Sequence, residues 1–244
     1  MASVKTKNLR RLLVLLTIGA LAAIIVIPLN PVSSRSLRLA TLAALFGVWL
    51  GPLLLTWNYK PIRFALFVLA ALLPIPFLLP GRSIDQTELR TAYLSRMQEL
   101  EGTKYFWGGE SRRGIDCSGL PRRALRGALL SYGIRHADGG AIRLFAEQWW
   151  HDASAQALGD GYRNYTMGLE TTGTIAEMPY SELVPGDLAV TTNGRHILAY
   201  LGDEKWIQAD PGLAKVATLH GRNDENGWFK IPVTTHRWRV LHEH

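Results

Sequence analysis

The sequence predicts an α+β domain, helices first and an antiparallel sheet after them, carried behind an apolar N-terminal region. Three observations predict it. The first 80 residues contain no Asp or Glu, whereas the remainder holds all twenty acidic residues. Residues 84–158 place apolar side chains at helical spacing. From Asp187 onward, short apolar runs alternate with turn pairs such as Asn193-Gly194.

Residues 1–80 read as a membrane region with three transmembrane helices, at about 12–29, 39–57 and 62–79. Each run is close to the roughly 20 residues that cross a hydrocarbon core. The third holds Pro74 and Pro76, which membrane helices tolerate. Eight Lys or Arg residues lie in this region, and the rest of the chain has nineteen against twenty acidic residues. The net charge of +7 therefore belongs to the N-terminal part, and no nucleic-acid partner is expected. Lys5, Lys7, Arg10 and Arg11 precede the first run, and Lys60 and Arg63 follow the second. Arg35 and Arg38 lie on the opposite side. The bias puts the N-terminus in the cytoplasm, and three crossings then carry the following domain out of it. Two crossings would leave it inside, so the third run decides the compartment.

The domain, residues 84–244, opens with an amphipathic helix over Ile84–Leu100. Asp85 and Glu88 have capping-box spacing, and Leu89, Ala92, Tyr93, Met97 and Leu100 form one stripe. After the loop from Tyr105 to Gly114, a second helix runs from Cys117 to about Tyr132, with Gly133 as its stop. Leu120, Ala124, Leu125, Ala128 and Leu129 form its core face, and Arg122, Arg123 and Arg126 read as solvated. A third helical pattern covers Ala141–Leu158, and Gly159–Pro179 reads as loop with room for a short strand. Residues 141–179 thus form an insert without a motif. Strands are expected over Leu188–Thr192, Arg195–Leu201 and Lys205–Ala209, with further ones near Leu213–Leu219 and Arg237–Leu241.

Cys117 is the only cysteine, so it has no partner within the chain for a disulfide. Asp116 is a good N-cap, which puts Cys117 at a helix start, where exposed N–H groups favour the thiolate. A nucleophile needs a base. Among seven histidines, His196 alone stands in an apolar strand, followed by Ile197, Leu198, Ala199 and Tyr200. The order of helix-borne Cys, strand-borne His and a polar residue on the next strand is that of a papain-like site. Gln208, one hairpin beyond His196, is the preferred group to orient the imidazole, and Asp210 on the same strand face competes for that role. No metal-ligand spacing such as HExxH occurs, so neither metal nor cofactor is expected.

The motifs Tyr105-Phe-Trp107-Gly108-Gly109, Asp116-Cys117-Ser118-Gly119, Pro185-Gly186-Asp187-Leu188, His196-Ile-Leu-Ala-Tyr200-Leu-Gly202 and Ile207-Gln208-Ala209 occur in an order that resembles the NlpC/P60 cysteine peptidases. The resemblance implies a papain-like NlpC/P60 domain with Cys117 as nucleophile, His196 as base and Gln208 as the third polar residue. It also implies that Tyr105 stands beside the thiol, holding oxyanion or substrate, and that Asp116 and Ser118 line the substrate groove. The implied activity is hydrolysis of amide bonds in peptidoglycan stem peptides. The partners are then the wall peptide and, through the N-terminal helices, membrane lipid. The implied location is a bacterial inner membrane, multi-pass, with the catalytic domain facing the periplasm or wall. The alternatives are a papain-like acyltransferase, amidase or thioesterase on lipid or protein, and a non-catalytic wall-binding scaffold.

Overall fold

The computed structural model describes residues 2–222 and 224–242, with side chains from residue 7; Met1, His244 and the end of the expected domain lie outside the described residues. The N-terminal region forms α1 (Ala2–Val26), α2 (Arg35–Leu55), α3 (Lys60–Leu72) and a short α4 (Ile75–Leu78). Among the described residues, three helical segments are long and apolar enough to cross a membrane: Lys7–Leu29, Arg35–Leu55 and Lys60–Leu78. Pro74 stands between α3 and α4, where the third segment is interrupted by a turn.

The domain follows with α5 (Gln86–Gln98), the two-residue strands β1 (Glu110–Ser111) and β2 (Gly114–Ile115), α6 (Gly119–Arg135), α7 (Gly139–Trp150) and α8 (Ala155–Gly159). Then come β3 (Thr166–Thr174), β4 (Leu188–Thr191), β5 (Ile197–Gly202), β6 (Lys205–Asp210), β7 (Lys215–His220) and β8 (Pro232–Trp238). The expected α+β architecture is present: among the described residues, six strands form one sheet in the order β3-β8-β4-β5-β6-β7. Every neighbouring pair in it is antiparallel.

Strand alternation divides two cores. Leu188, Val190, Ile197, Ala199, Ile207 and Ala209 pack with Leu89, Tyr93 and Met97 of α5 and with Leu120, Leu125 and Leu129 of α6. The opposite face, with Ala189, Leu198, Tyr200 and Trp206, is covered by Ile175, Met178, Leu183 and Phe229. Asp85 caps α5 as its spacing predicts, its Oδ1 accepting from Glu88 N at 2.9 Å.

Three expectations are corrected. Gly133 does not stop α6, which runs on to Arg135. A Cβ at Gly133 would lie 2.6 Å from Ile142 Cγ1, so the glycine admits α7 to close packing; the turn that ends α6 uses Ala137 at φ 48°. The Ala141–Leu158 helix is instead two, because Ser154 accepts from Ala157 N and starts α8 separately. Most of Gly159–Pro179 is ordered: β3 is a nine-residue edge strand on β8, with a bulge between Gly168 and Thr172.

The helical hairpin is strapped to the domain. Val32, in the α1–α2 turn, bridges Gly109; Ser33 N donates to Gly108 O and Glu110 N to Pro31 O, both at 2.9 Å. On α2, Arg38 is buried, and its guanidinium lies 3.6 Å from Glu110 Oε2 and 3.3 Å from Asp152 Oδ2. Arg122 and Arg126 of α6 reach the same Glu110 carboxylate at 3.3 and 2.9 Å, and Arg122 also pairs with Asp152. Arg122 and Arg126 are therefore not the solvated face expected of them; a buried carboxylate draws them inward. Burial pushes the Glu110 carboxyl up, but Arg122 and Arg126 outweigh it and hold the group below its ordinary value.

Candidate active site

The loop from Tyr105 and the start of α6 are folded onto each other by two glycines and one carboxylate. A Cβ at Gly119 would meet Gly109 O at 2.4 Å, so the two backbones approach as only glycine permits. Asp116 Oδ1 accepts from Gly119 N at 2.6 Å and from Ser118 Oγ at 3.1 Å, while Oδ2 accepts from Gly108 N at 3.0 Å. Leu120 N donates to Asp116 O at 3.1 Å. Asp116 therefore opens the first turn, and Cys117 stands at the helix start, partly buried. Ser118 is buried beside it, so both neighbours of Cys117 are engaged in shaping this turn.

His196 immediately precedes β5 rather than lying within it. The hairpin turn holds it: His196 N donates to Thr191 Oγ1 and Thr191 N to His196 O, both at 3.0 Å. Gly194 supplies the positive φ of 67°. Cys117 Sγ lies 3.9 Å from Arg195 O, and the Ile197 backbone N–H also reaches it. The thiol is thus set against the residues on both sides of His196.

His196 Nε2 lies 2.6 Å from Gln208 Oε1. Gln208 Nε2 in turn donates to Asp210 Oδ2 at 3.3 Å, and Asn226 Nδ2 donates to the same oxygen at 2.7 Å. Asp210 Oδ1 accepts from Gly212 N and Leu213 N. Gln208 and Asp210 are consecutive links of one chain: the carboxylate can only accept, so the amide presents its oxygen to the imidazole. A neutral His196 then carries its proton on Nε2, and Nδ1 keeps the lone pair. Trp228 stacks on the imidazole, with centroids 4.1 Å apart and planes at 15°. Trp228 and Asn226 carry no periodic or motif signal, and only tertiary folding of Asn226–Ile231 brings them here.

Burial pushes the Cys117 thiol up to about 12, and Asp116 acts in the same direction; backbone N–H groups of Ile197, Ser118 and Cys117 pull it back only partly. Burial likewise pushes the His196 imidazole down to about 4, against the Gln208 hydrogen bond and the Asp210 charge. Both shifts favour the uncharged form of each group, against the thiolate that a helix start alone favours, because desolvation exceeds the help of the helix end. Tyr105 stands close enough for Cys117, Asp116 and Asp210 to act on it. Burial first, then these groups, push its phenol up to about 12, so it stays a hydrogen-bond donor. Among the described residues, no group of three His, Cys, Asp or Glu side chains has the spacing of a metal site.

The sequence pattern of the NlpC/P60 family matches residues 102–230, which spans the Tyr105 loop, Cys117, His196 and Gln208. The chain belongs to the NlpC/P60 family. Solved structures similar to it include the peptidoglycan hydrolase RipB from Mycobacterium tuberculosis, at 20% identity over 65% of this chain and 68% of that one, TM-score 0.40. The P60 domain of an antigen from M. avium subspecies paratuberculosis is 19% identical over 66% of this chain and all of that one, TM-score 0.40. The NlpC/P60 domain of the peptidoglycan hydrolase SagA is 19% identical over 60% of this chain and 96% of that one, TM-score 0.34. No curated protein matches the chain.

Proposed function

We propose that this NlpC/P60 protein is a membrane-anchored cysteine peptidase that hydrolyses amide bonds in peptidoglycan stem peptides, using Cys117, His196 and Gln208. The observation that carries the reading is the chain His196–Gln208–Asp210, closed at 2.6 and 3.3 Å, with Cys117 Sγ against the residues flanking His196. Sγ attacks the carbonyl carbon and forms the C–S bond while its proton passes to His196 Nδ1. The tetrahedral oxyanion is held by N–H groups at the start of α6 and by the Tyr105 hydroxyl. Collapse breaks the C–N bond, and the amine leaves with the proton from Nδ1. Water then attacks the thioester, giving one proton to Nδ1; collapse breaks the C–S bond, the acid product departs and the proton returns from Nδ1 to Sγ. With both shifts favouring the uncharged forms, this mechanism has proton transfer accompany attack.

The helices support the placement. The α1–α2 turn touches the domain through Val32 and Ser33, so turn and domain share one side of a bilayer crossed by α1–α3. The N-terminal tail and the turn carrying Lys60 then share the other side.

The test is full-length protein on purified muropeptides, read by mass spectrometry. Wild type is expected to release new stem-peptide fragments, and Cys117→Ala to release none while melting like wild type. Equal cleavage by the alanine variant removes the reading. A fatty acyl group trapped on Cys117, with muropeptides untouched, would replace it with acyl transfer.

A further inference from the structure

A second site lies away from Cys117, between the membrane hairpin and α6. It is a cavity of about 680 Å³, walled on one side by the α1–α2 turn and the first turns of α2, and on the other by α5, α6 and the β1–β2 hairpin. Neither Cys117 nor His196 lines it. Its walls carry Arg38, Arg96, Arg112, Arg113, Arg123 and Arg126, against two lining carboxylates, Glu99 and Glu110. Asp152, outside the lining, also pairs with Arg38. Arg112 pairs with Glu99 at 2.7 Å, and Arg123 donates to the Glu110 backbone oxygen at 3.0 Å. Arg38 and Arg126 are 3% and 7% exposed; Arg126 Nη1 lies 2.9 Å from Glu110 Oε1, whereas Arg38 Nε makes no hydrogen bond, and Arg38, Arg122 and Arg126 share the two carboxylates Glu110 and Asp152. Buried guanidinium groups in excess of carboxylates are costly unless an anion enters.

We infer that this cavity binds the phosphate of an anionic phospholipid headgroup. Guanidinium groups match phosphate oxygens in pairs, and basic pockets beside membrane helices suit such headgroups. The lipid source follows from the walls. Ile27, Leu37 and Thr41 line the cavity at the ends of α1 and α2, and the helix faces leading away from it expose Ile25, Leu42 and Phe46. A headgroup seated among the arginines has apolar helix surface along which its chains can lie. The inference rests on the reading of α1 and α2 as membrane helices.

The full-length chain in neutral detergent is titrated with phosphatidylglycerol, with phosphatidylcholine and with inorganic phosphate, and read by native mass spectrometry. Phosphatidylglycerol is expected to bind at least tenfold more tightly than phosphatidylcholine. Arg113→Gln with Arg123→Gln, two positions on the cavity wall, should weaken it at least fivefold with the melting temperature kept. Lys60→Gln with Arg63→Gln, on the opposite turn, should change nothing. Equal binding of the two lipids, or equal loss from both double variants, overturns the site. Phosphate bound without any lipid preference assigns the cavity to the free ion and overturns the lipid. Carbonate extraction of membranes reads the underlying assumption separately: a chain that stays in the pellet but shows no preference sinks the site alone, and a chain that is released sinks both.

Discussion

Gln208 Nε2 and Asp210 Oδ2 lie 3.3 Å apart, and this contact fixes the direction of the whole amide. Asp210→Asn offers Gln208 a donor as well as an acceptor, so the amide can flip and present its NH₂ to His196. The proton would then move to Nδ1, the nitrogen that acts as base in the proposed mechanism. We expect kcat to fall by about 10- to 100-fold, with KM little changed, since only the transition state uses the tautomer. Steady-state kinetics on a muropeptide, with ring-nitrogen NMR shifts for the tautomer, checks this.

Trp228 covers one face of His196. Trp228→Ala admits water to an imidazole whose depression is due first to burial, so the His196 value should rise from about 4 toward the ordinary range. The acid limb of kcat/KM moves up with it, and Trp228→Phe should restore most of the wild-type profile. An unshifted limb in the alanine variant would show that the stack does not desolvate the ring.

The same depression governs stability. Between the folded value of about 4 and the ordinary value of 6.5, the unfolded chain binds the His196 proton and the native chain does not. Stability therefore rises with pH across that window and is lost as pH falls through it, by up to about 3 kcal/mol. Urea midpoints at pH 4.5 and 7 should differ more for wild type than for His196→Phe.

With Cys117 pushed up to about 12, wild-type kcat/KM should show no alkaline limb below about pH 9, and iodoacetamide should label the thiol ever faster as pH climbs. A labelling rate that levels off near neutral pH would mean a preformed thiolate.

Glu110 gathers arginines from α2 and α6. Glu110→Gln leaves them buried without that counter-charge and should destabilise the protein by about 3–5 kcal/mol, read by thermal melting. Arg38→Met should cost less, because it leaves Arg122 and Arg126 with the carboxylate.

The site was legible where its signals are local. The Asp-Cys-Ser-Gly step announces a helix start, and Asn193-Gly194 announces the hairpin that delivers His196. Gln208 and Asp210 looked like rivals because spacing cannot tell a contact from a relay. Only a short strand is expected where the nine-residue β3 lies, because its partner β8 is some sixty residues on, and its threonines and glycines show little apolar alternation. The arginines of α6 looked solvated because the charge that draws them inward sits on a short strand before the helix, with help from α2. Trp228 is placed by a single short turn of chain, for which no period exists.

The strap between Val32 and Gly109 has a counterpart where α4 meets the domain. Arg143 grips the Phe77 and Leu79 carbonyls at 2.7 and 2.9 Å, and Gly139 N donates to Pro80 O. The N-terminal helices are thus tied to the domain at two places, with no free linker between them. If α1–α3 cross a bilayer as proposed, Cys117 would stay at one height above the lipid and the proposed enzyme could not sweep through the wall. Under that reading, only polymer brought down to that plane would be within its reach.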